Sequence, residues 1–197
     1  LTTISPVKNV MAEAEISETF DQEFGIWDLN KFLGTVSLFE DPEFFFNENS
    51  VNITSQKNNS SVRYYYSEPS LLTTVNKKIN MPESVVDCVL TQSHFNDVLK
   101  AASVLQVNDI AIRSNGDVIE LVAMDKKDSS SNSYSVEIGN LPNDNYNFVF
   151  YFKADNLKML PGDYDVSITE KVVSQFSHKG RNLTYWVALE SDSSYSS

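Results

Sequence analysis

"KADNLKMLPGDYDVSI", Lys153 to Ile168, repeats a pattern met much earlier in "WDLNKFLGTVSLF", Trp27 to Phe39. Both stretches follow a run rich in apolar residues. Each then gives Asp, Leu or Asn, a lysine, two large apolar residues, a glycine and a Val-Ser-aliphatic ending. Lys31 and Lys158 lie about one small domain apart in the chain. The segment between them, Ser70 to Ser84, "SLLTTVNKKINMPES", has a proline, a lysine pair and no clear period, and reads as a connector. The repeat therefore predicts two domains of similar topology, at 1–69 and 85–197, joined by 70–84. The second is expected to hold helices near 93–105 and 153–160. A matching helix of the first domain would precede Leu1, so the first domain is expected to lack its first strand-helix unit.

Around the repeat, strand patterns dominate. "AEAEIS", "EFGIW", "EFFFNE", "SVNITS" and "VRYYYSE" are short, aromatic or β-branched, and separated by polar residues. "SVVDCVL", "DIAIRS", "DVIELVAM", "SYSVEI", "YNFVFYF", "DYDVSITE", "VVSQFSHKG" and "LTYWVALE" continue the style. Turns are marked at Asn115-Gly116-Asp117 and His178-Lys179-Gly180. Helical spacing is rarer. Phe95, Val98, Leu99, Ala102 and Leu105 form one stripe, with Ser93 as the expected N-cap. Leu29, Phe32, Leu33 and Val36 form a shorter stripe capped by Asp28. Each expected helix presents lysine: Lys31, Lys100, and the pair Lys153 and Lys158.

The chain has 197 residues, 41% hydrophobic, with a net charge of −12 from 15 basic and 27 acidic residues. A protein that grips nucleic acid usually carries a basic balance, so tight DNA binding is not expected from charge alone. An acidic exterior keeps a protein soluble and off unintended polyanions. No apolar run reaches the ~20 residues of a transmembrane helix, and the N-terminus lacks the pattern of a signal peptide. One cysteine, Cys88, sits in an apolar strand and reads as core in a reducing compartment. The four Asn-x-Ser/Thr sequons, at Asn52, Asn58, Asn59 and Asn182, are expected by chance in so Asn- and Ser-rich a chain.

No catalytic constellation is visible. His94 and His178 are far apart without ligand-like companions, and phosphate-binding glycine loops and nucleophile motifs are missing. Neither a catalytic nor a metal site, and no cofactor, is expected. The residues leave open a tandem β-sandwich adhesion or structural protein, or an enzyme with a hidden site. The amphipathic helix at 93–105 counts against the sandwich.

"AEAEISETFDQEFGIWDLNKFLGTVSLFEDPE", "NFVFYFKADNLKMLPGDYDVSI" and "YWVALESDS" resemble the domain signatures of the sliding clamps of T-even-type tailed bacteriophages. The most specific pieces are "DLNKFLG", "LKMLPGDY" and "VALESDS", and the resemblance spans nearly the whole chain. It implies an α+β protein of two similar domains of the DNA-clamp fold, with antiparallel sheets outside and a few helices lining the inner face. It further implies a polymerase processivity factor without chemistry of its own, a homotrimeric ring around duplex DNA. Its partners would be a DNA polymerase and a clamp-loader ATPase, in the cytoplasm of the infected bacterial host. Lys31, Lys100, Lys153 and Lys158 would then face DNA. Leu71, Leu72, Val75, Ile79 and Tyr185 would form a pocket for the polymerase tail. Such a ring reconciles the acidic charge with DNA association, because linkage rather than affinity holds it in place.

Overall fold

The computed structural model describes residues 1–197 except 21, 58, 76–78, 143–145, 171 and 197. The sequon at Asn58 and the lysine pair Lys77-Lys78 thus lie outside the described residues. The chain runs through β1 (Thr2–Ile4), β2 (Val10–Ala14), α1 (Leu29–Val36), β3 (Glu43–Phe46), β4 (Ser50–Ser55) and β5 (Ser60–Tyr65). A 3-10 turn at Pro69–Leu71 precedes β6 (Val86–Leu90), α2 (Gln92–Leu105), β7 (Asp109–Asn115), β8 (Val118–Met124), β9 (Tyr134–Asn140) and β10 (Asn147–Lys153). A second 3-10 turn, Ala154–Leu157, leads to β11 (Tyr164–Ile168), β12 (Val173–His178), β13 (Leu183–Ala188) and β14 (Ser194–Ser196). All described strand pairs are antiparallel, and two α-helices accompany them, which is the expected α+β class.

By packing, the chain divides into a larger unit, residues 1–15 with 75–197, and a smaller one, 16–74. The first fifteen residues thus pack with the larger unit, although the sequence groups them with 16–69. The reason is a long-range pairing. Val10, Ala12 and Ala14 of β2 lie opposite Val187, Tyr185 and Leu183 of β13. This closes a six-stranded sheet ordered β1-β2-β13-β12-β11-β6.

The larger unit also holds a five-stranded sheet, β14-β10-β7-β8-β9. In β10 the alternation buries Phe148, Phe150 and Phe152 and turns Val149, Tyr151 and Lys153 the other way. Those phenylalanines share one core with Ile110, Ile112 and Leu121, with Phe95 and Val98 of α2, and with Tyr164, Phe176 and Val187 of the other sheet. Phe95 lies 5.6 Å from the Tyr164 ring and 6.2 Å from the Phe176 ring, so one helical residue links α2 to the six-stranded sheet. Gly116, with φ of 63°, makes the β7–β8 turn that Asn-Gly-Asp predicts.

Three local expectations need correction. Thr91, not Ser93, caps α2: its hydroxyl accepts from His94 N at 3.2 Å, while His94 Nδ1 accepts from Thr91 N at 3.4 Å. The helix begins as soon as β6 ends, before its apolar stripe becomes readable. The helix expected at 153–160 is a 3-10 turn of four residues. β10 continues through Lys153, and Pro161-Gly162 follows too soon for a second helical turn to offset nucleation. Leu157 still anchors the turn, fully buried in the core. "EFGIW" contributes an isolated bridge between Gly25 and Ser67 rather than a strand.

In the smaller unit, Asp28 caps α1 as expected, its carboxylate accepting from Lys31 N at 2.9 Å. Phe32 and Val36 of α1 pack on Phe39, Val51 and Ile53, in company with the sheet β3-β4-β5. An aromatic group centred on Phe24, touching Phe20, Phe32, Phe46 and Tyr66, extends this core.

Candidate functional site

The four lysines singled out by sequence occupy three different settings. Lys31 on α1 and Lys100 on α2 are exposed, and among the described residues neither forms an ion pair. On α2 the buried stripe Phe95, Val98 and Ala102 faces the sheet, which turns Lys100 away from it, beside Asn96, Asp97 and Ser103. Asp97 accepts from Ser93 at 3.2 Å. The outward face of α2 is thus close to neutral, with one lysine against one aspartate.

Lys158 follows the 3-10 turn, largely exposed and 2.6 Å from the equally exposed Asp155. Such a surface pair is worth little, about 0–1 kcal/mol, and leaves the ammonium open to another anion.

Lys153 is placed differently. It lies on the sheet face opposite the core that α2 covers, because it alternates with Phe152. Its Nζ is 2.5 Å from Asp109 Oδ1 on the neighbouring strand and 3.9 Å from Glu190 Oε2. Asp109 is 4% exposed. Lys126, itself nearly covered, reaches Asp192 at 2.7 Å and Glu190 at 3.4 Å, and lies 5.2 Å over the Tyr151 ring. Its backbone N–H points to Asp109 Oδ2 at 3.3 Å. Two ammonium groups and three carboxylates thereby tie β7, β10 and the segment after β13 together. Burial works against the charge on Lys126, but Asp192 and Glu190 outweigh it and raise its affinity for the proton. Lys126 in turn holds the Asp192 carboxyl below the usual range. Sequence reading missed this network because Lys126, Lys153, Asp109, Glu190 and Asp192 share no local spacing.

The five expected pocket residues are divided between the units. Leu71 is exposed in the first 3-10 turn, and Leu72 packs against Gly25 in the smaller unit. Val75 and Ile79 are half-buried in the larger unit. Tyr185 points toward the core, 6.2 Å from the Tyr164 ring, and its hydroxyl accepts from Leu160 N at 3.3 Å. The aromatic residue on the other side of β13 is Trp186, which lines an open cavity of about 420 Å³ with Glu13, Arg181 and Thr184.

Among the described residues no group of three or more His, Cys, Asp or Glu side chains could hold a metal ion. Among the described residues no helix is long and apolar enough to cross a membrane. Burial, with Asp87 adding to it, pushes the Cys88 thiol up to about 12, far from a nucleophile.

Antiparallel sheets with a lysine-bearing helix laid on one face are matched by a known family. The model of the gp45 sliding clamp, C terminal, matches residues 87–191, more than half of the chain. The chain belongs to the gp45 sliding clamp family. The sliding clamp of Vibrio phage KVP40 is 29% identical over 185 residues, covering 91% of this chain and 82% of that clamp. The sliding clamp of Enterobacteria phage T4 is also 29% identical, over 188 residues, covering 93% and 82%. Among solved structures, PCNA from Thermococcus kodakaraensis superposes with a TM-score of 0.64 at 13% identity, covering 96% of this chain and 85% of that one. A Helicobacter pylori beta clamp bound to a DNA ligase peptide gives 0.70 at 13%, covering 96% and 53%. At such identity these two likenesses concern the clamp fold alone.

Proposed function

We propose that this chain is the subunit of a DNA sliding clamp, a non-enzymatic processivity factor. In this reading three copies close head-to-tail into a ring around duplex DNA and tether the replicative polymerase. A clamp-loader ATPase opens the ring, in the cytoplasm of the infected bacterial cell. The observation that carries the reading is α2. It lays an apolar stripe on the sheet and holds Lys100 outward in a chain of net charge −12. A protein that must move along DNA needs a weak, sequence-independent attraction to phosphate. Few outward lysines on an otherwise acidic body meet that need. Lys31, Lys100 and Lys158 are the residues assigned to it, and Lys153 is assigned to the ion network instead.

Ring closure has a physical candidate too. β9 ends the five-stranded sheet, and the three-stranded sheet ends in β3 and β5. Pairing such edges between copies would give a heterologous contact that closes on itself and would remove edges prone to aggregation. The half-buried apolar connector residues Val75 and Ile79 of the larger unit are assigned to the polymerase tail.

The test is retention on DNA. Loaded clamps should stay on closed circular DNA in salt that strips them from linear DNA of the same length. Equal retention on both would overturn topological linkage. Sedimentation should show a trimer at high concentration, and a chain that remains monomeric there would overturn the ring.

A further inference from the structure

His178 ends β12, and both of its ring nitrogens are engaged. Gly180 N donates to Nδ1 at 2.9 Å, and Nε2 lies 3.2 Å from the Pro161 carbonyl oxygen. Because Nδ1 accepts, Nε2 carries the hydrogen and donates it to Pro161. This pair of bonds requires the neutral ring. The fit around the ring is close. A Cβ at Gly162, whose φ is 154°, would come within 2.1 Å of Nε2, so the backbone passes directly against the imidazole. Tyr164 meets the ring edge-to-face at 5.1 Å.

The segment held there is strapped from three strands. The Tyr164 hydroxyl donates to Leu160 O at 2.6 Å, and the Tyr185 hydroxyl accepts from Leu160 N. The next side chain along, Asp163, reaches α2: its Oδ1 accepts from Gln92 N at 2.7 Å. Gln92 is the first residue of that helix, and its N–H is one of the donors that a helix cannot satisfy internally.

We propose that His178 is a proton-sensitive positioning residue, seating the N-terminus of α2 through the Pro161–Asp163 strap while its ring is neutral. Protonation places N–H on Nδ1 against the Gly180 N–H and removes that acceptor. The ring then shifts, the strap loses its hold at Pro161, and Asp163 loses its fixed approach to Gln92. The charged groups facing the ring are few. Glu13, Glu15 and Arg181 line the cavity that His178 borders. Glu15 is occupied by Asn182 at 2.6 Å, and Lys179 pairs with Asp165 at 2.8 Å. The device rests on the strap geometry and holds whether or not Lys100 meets phosphate.

The test is amide exchange by NMR on the full chain, corrected for intrinsic rates, from about pH 8 to about pH 5, where imidazoles as a class take up a proton. Protection of Gly180 and Gln92 should fall together as the His178 ring resonances move to their protonated positions. The drop should be roughly fivefold to tenfold, the factor that goes with losing one ordinary hydrogen bond. His178→Gln, which keeps a donor and an acceptor without taking up a proton, should hold both amides flat. Two results would overturn the proposal: Gln92 protection that stays constant while the wild-type ring protonates, or a pH response that survives in His178→Gln. The second would move the effect to His94, whose Nδ1 faces Thr91 N, and His94→Gln would then abolish it. The wild-type measurement decides the first point even where the variant folds poorly.

Discussion

Replacing Lys153 by methionine separates a structural lysine from a DNA-facing one. Removal of Nζ leaves Asp109 buried, with the Lys126 backbone N–H at 3.3 Å as a remaining neighbour. Stripping one partner from a fully buried ion pair costs about 3–5 kcal/mol. The Lys153 side chain is 40% exposed, so water reaches the gap, and we expect about 2 kcal/mol. At this chain length that corresponds to a fall in Tm of about 4–8 °C. Asp109→Asn in the Lys153→Met background should recover part of the loss, with a coupling of about 1 kcal/mol. The assay is urea unfolding of the single and double variants, run beside DNA binding as a function of salt. Lys153→Met should leave the salt slope unchanged. Lys100→Gln should do the reverse, leaving stability within about 0.5 kcal/mol while lowering the slope by about 0.9 for each phosphate that is no longer neutralised. The reasoning is refuted if Lys153→Met is as stable as wild type and its salt slope drops by about one unit.

Other expectations follow from single sites. Phe176 is fully buried against Phe95, Phe152 and Tyr164, and Phe176→Ala should cost about 3–5 kcal/mol by urea unfolding; a loss under 1 kcal/mol would mean the two sheets do not share one core. Asn115, assisted by Arg113 and opposed by burial, holds the Glu120 carboxyl below its usual range. A depressed carboxyl contributes stability that is complete above its unfolded value, about 4, and is lost as pH falls through the lower folded value. Urea midpoints should therefore decline below that value, and Glu120→Gln should flatten the decline; a parallel profile would count against the assignment. The Cys88 thiol, raised by burial and half-buried on the edge strand β6, should react with a thiol reagent more slowly than a free cysteine at the same pH, and labelling as fast as a free thiol would contradict the raised value.

Features written in local spacing were legible in the sequence, and features that depend on distant partners were not. The stripe from Phe95 to Leu105 and the Asp28 cap depend on neighbours within a turn or two, and both appear in the structure. The alternation of Phe148, Phe150 and Phe152 is equally local. β1 and β14, three residues each, are too short to show a period. The assignment of β2 to the larger unit depends on β13, near the other end of the chain. Lys153 looked like a helix-face lysine because its partner Asp109 is 44 residues away. The repeat itself was real as a pattern, yet its two copies end differently: α1 makes an α-helix, while Pro161-Gly162 stops the second copy at a 3-10 turn. The family, by contrast, was readable because "DLNKFLG", "LKMLPGDY" and "VALESDS" are short and specific.

The pairing of β2 with β13 also sets an order of events during synthesis. The contacts of residues 16–74 lie within one stretch of chain, so that unit can assemble soon after it leaves the ribosome. β2, made earlier, must wait for a strand roughly 175 residues downstream, some 10 to 35 s at about 5–20 residues per second. Throughout that interval the β1–β2 hairpin has a free edge bearing Val10, Met11 and Ala12. A segment translated before residues 16–74 is thus among the last to find its place, and the larger unit finishes as a late pairing of strands far apart in sequence. Slow translation through residues 75–182 should therefore lower the yield of soluble protein more than an equal pause within 16–74.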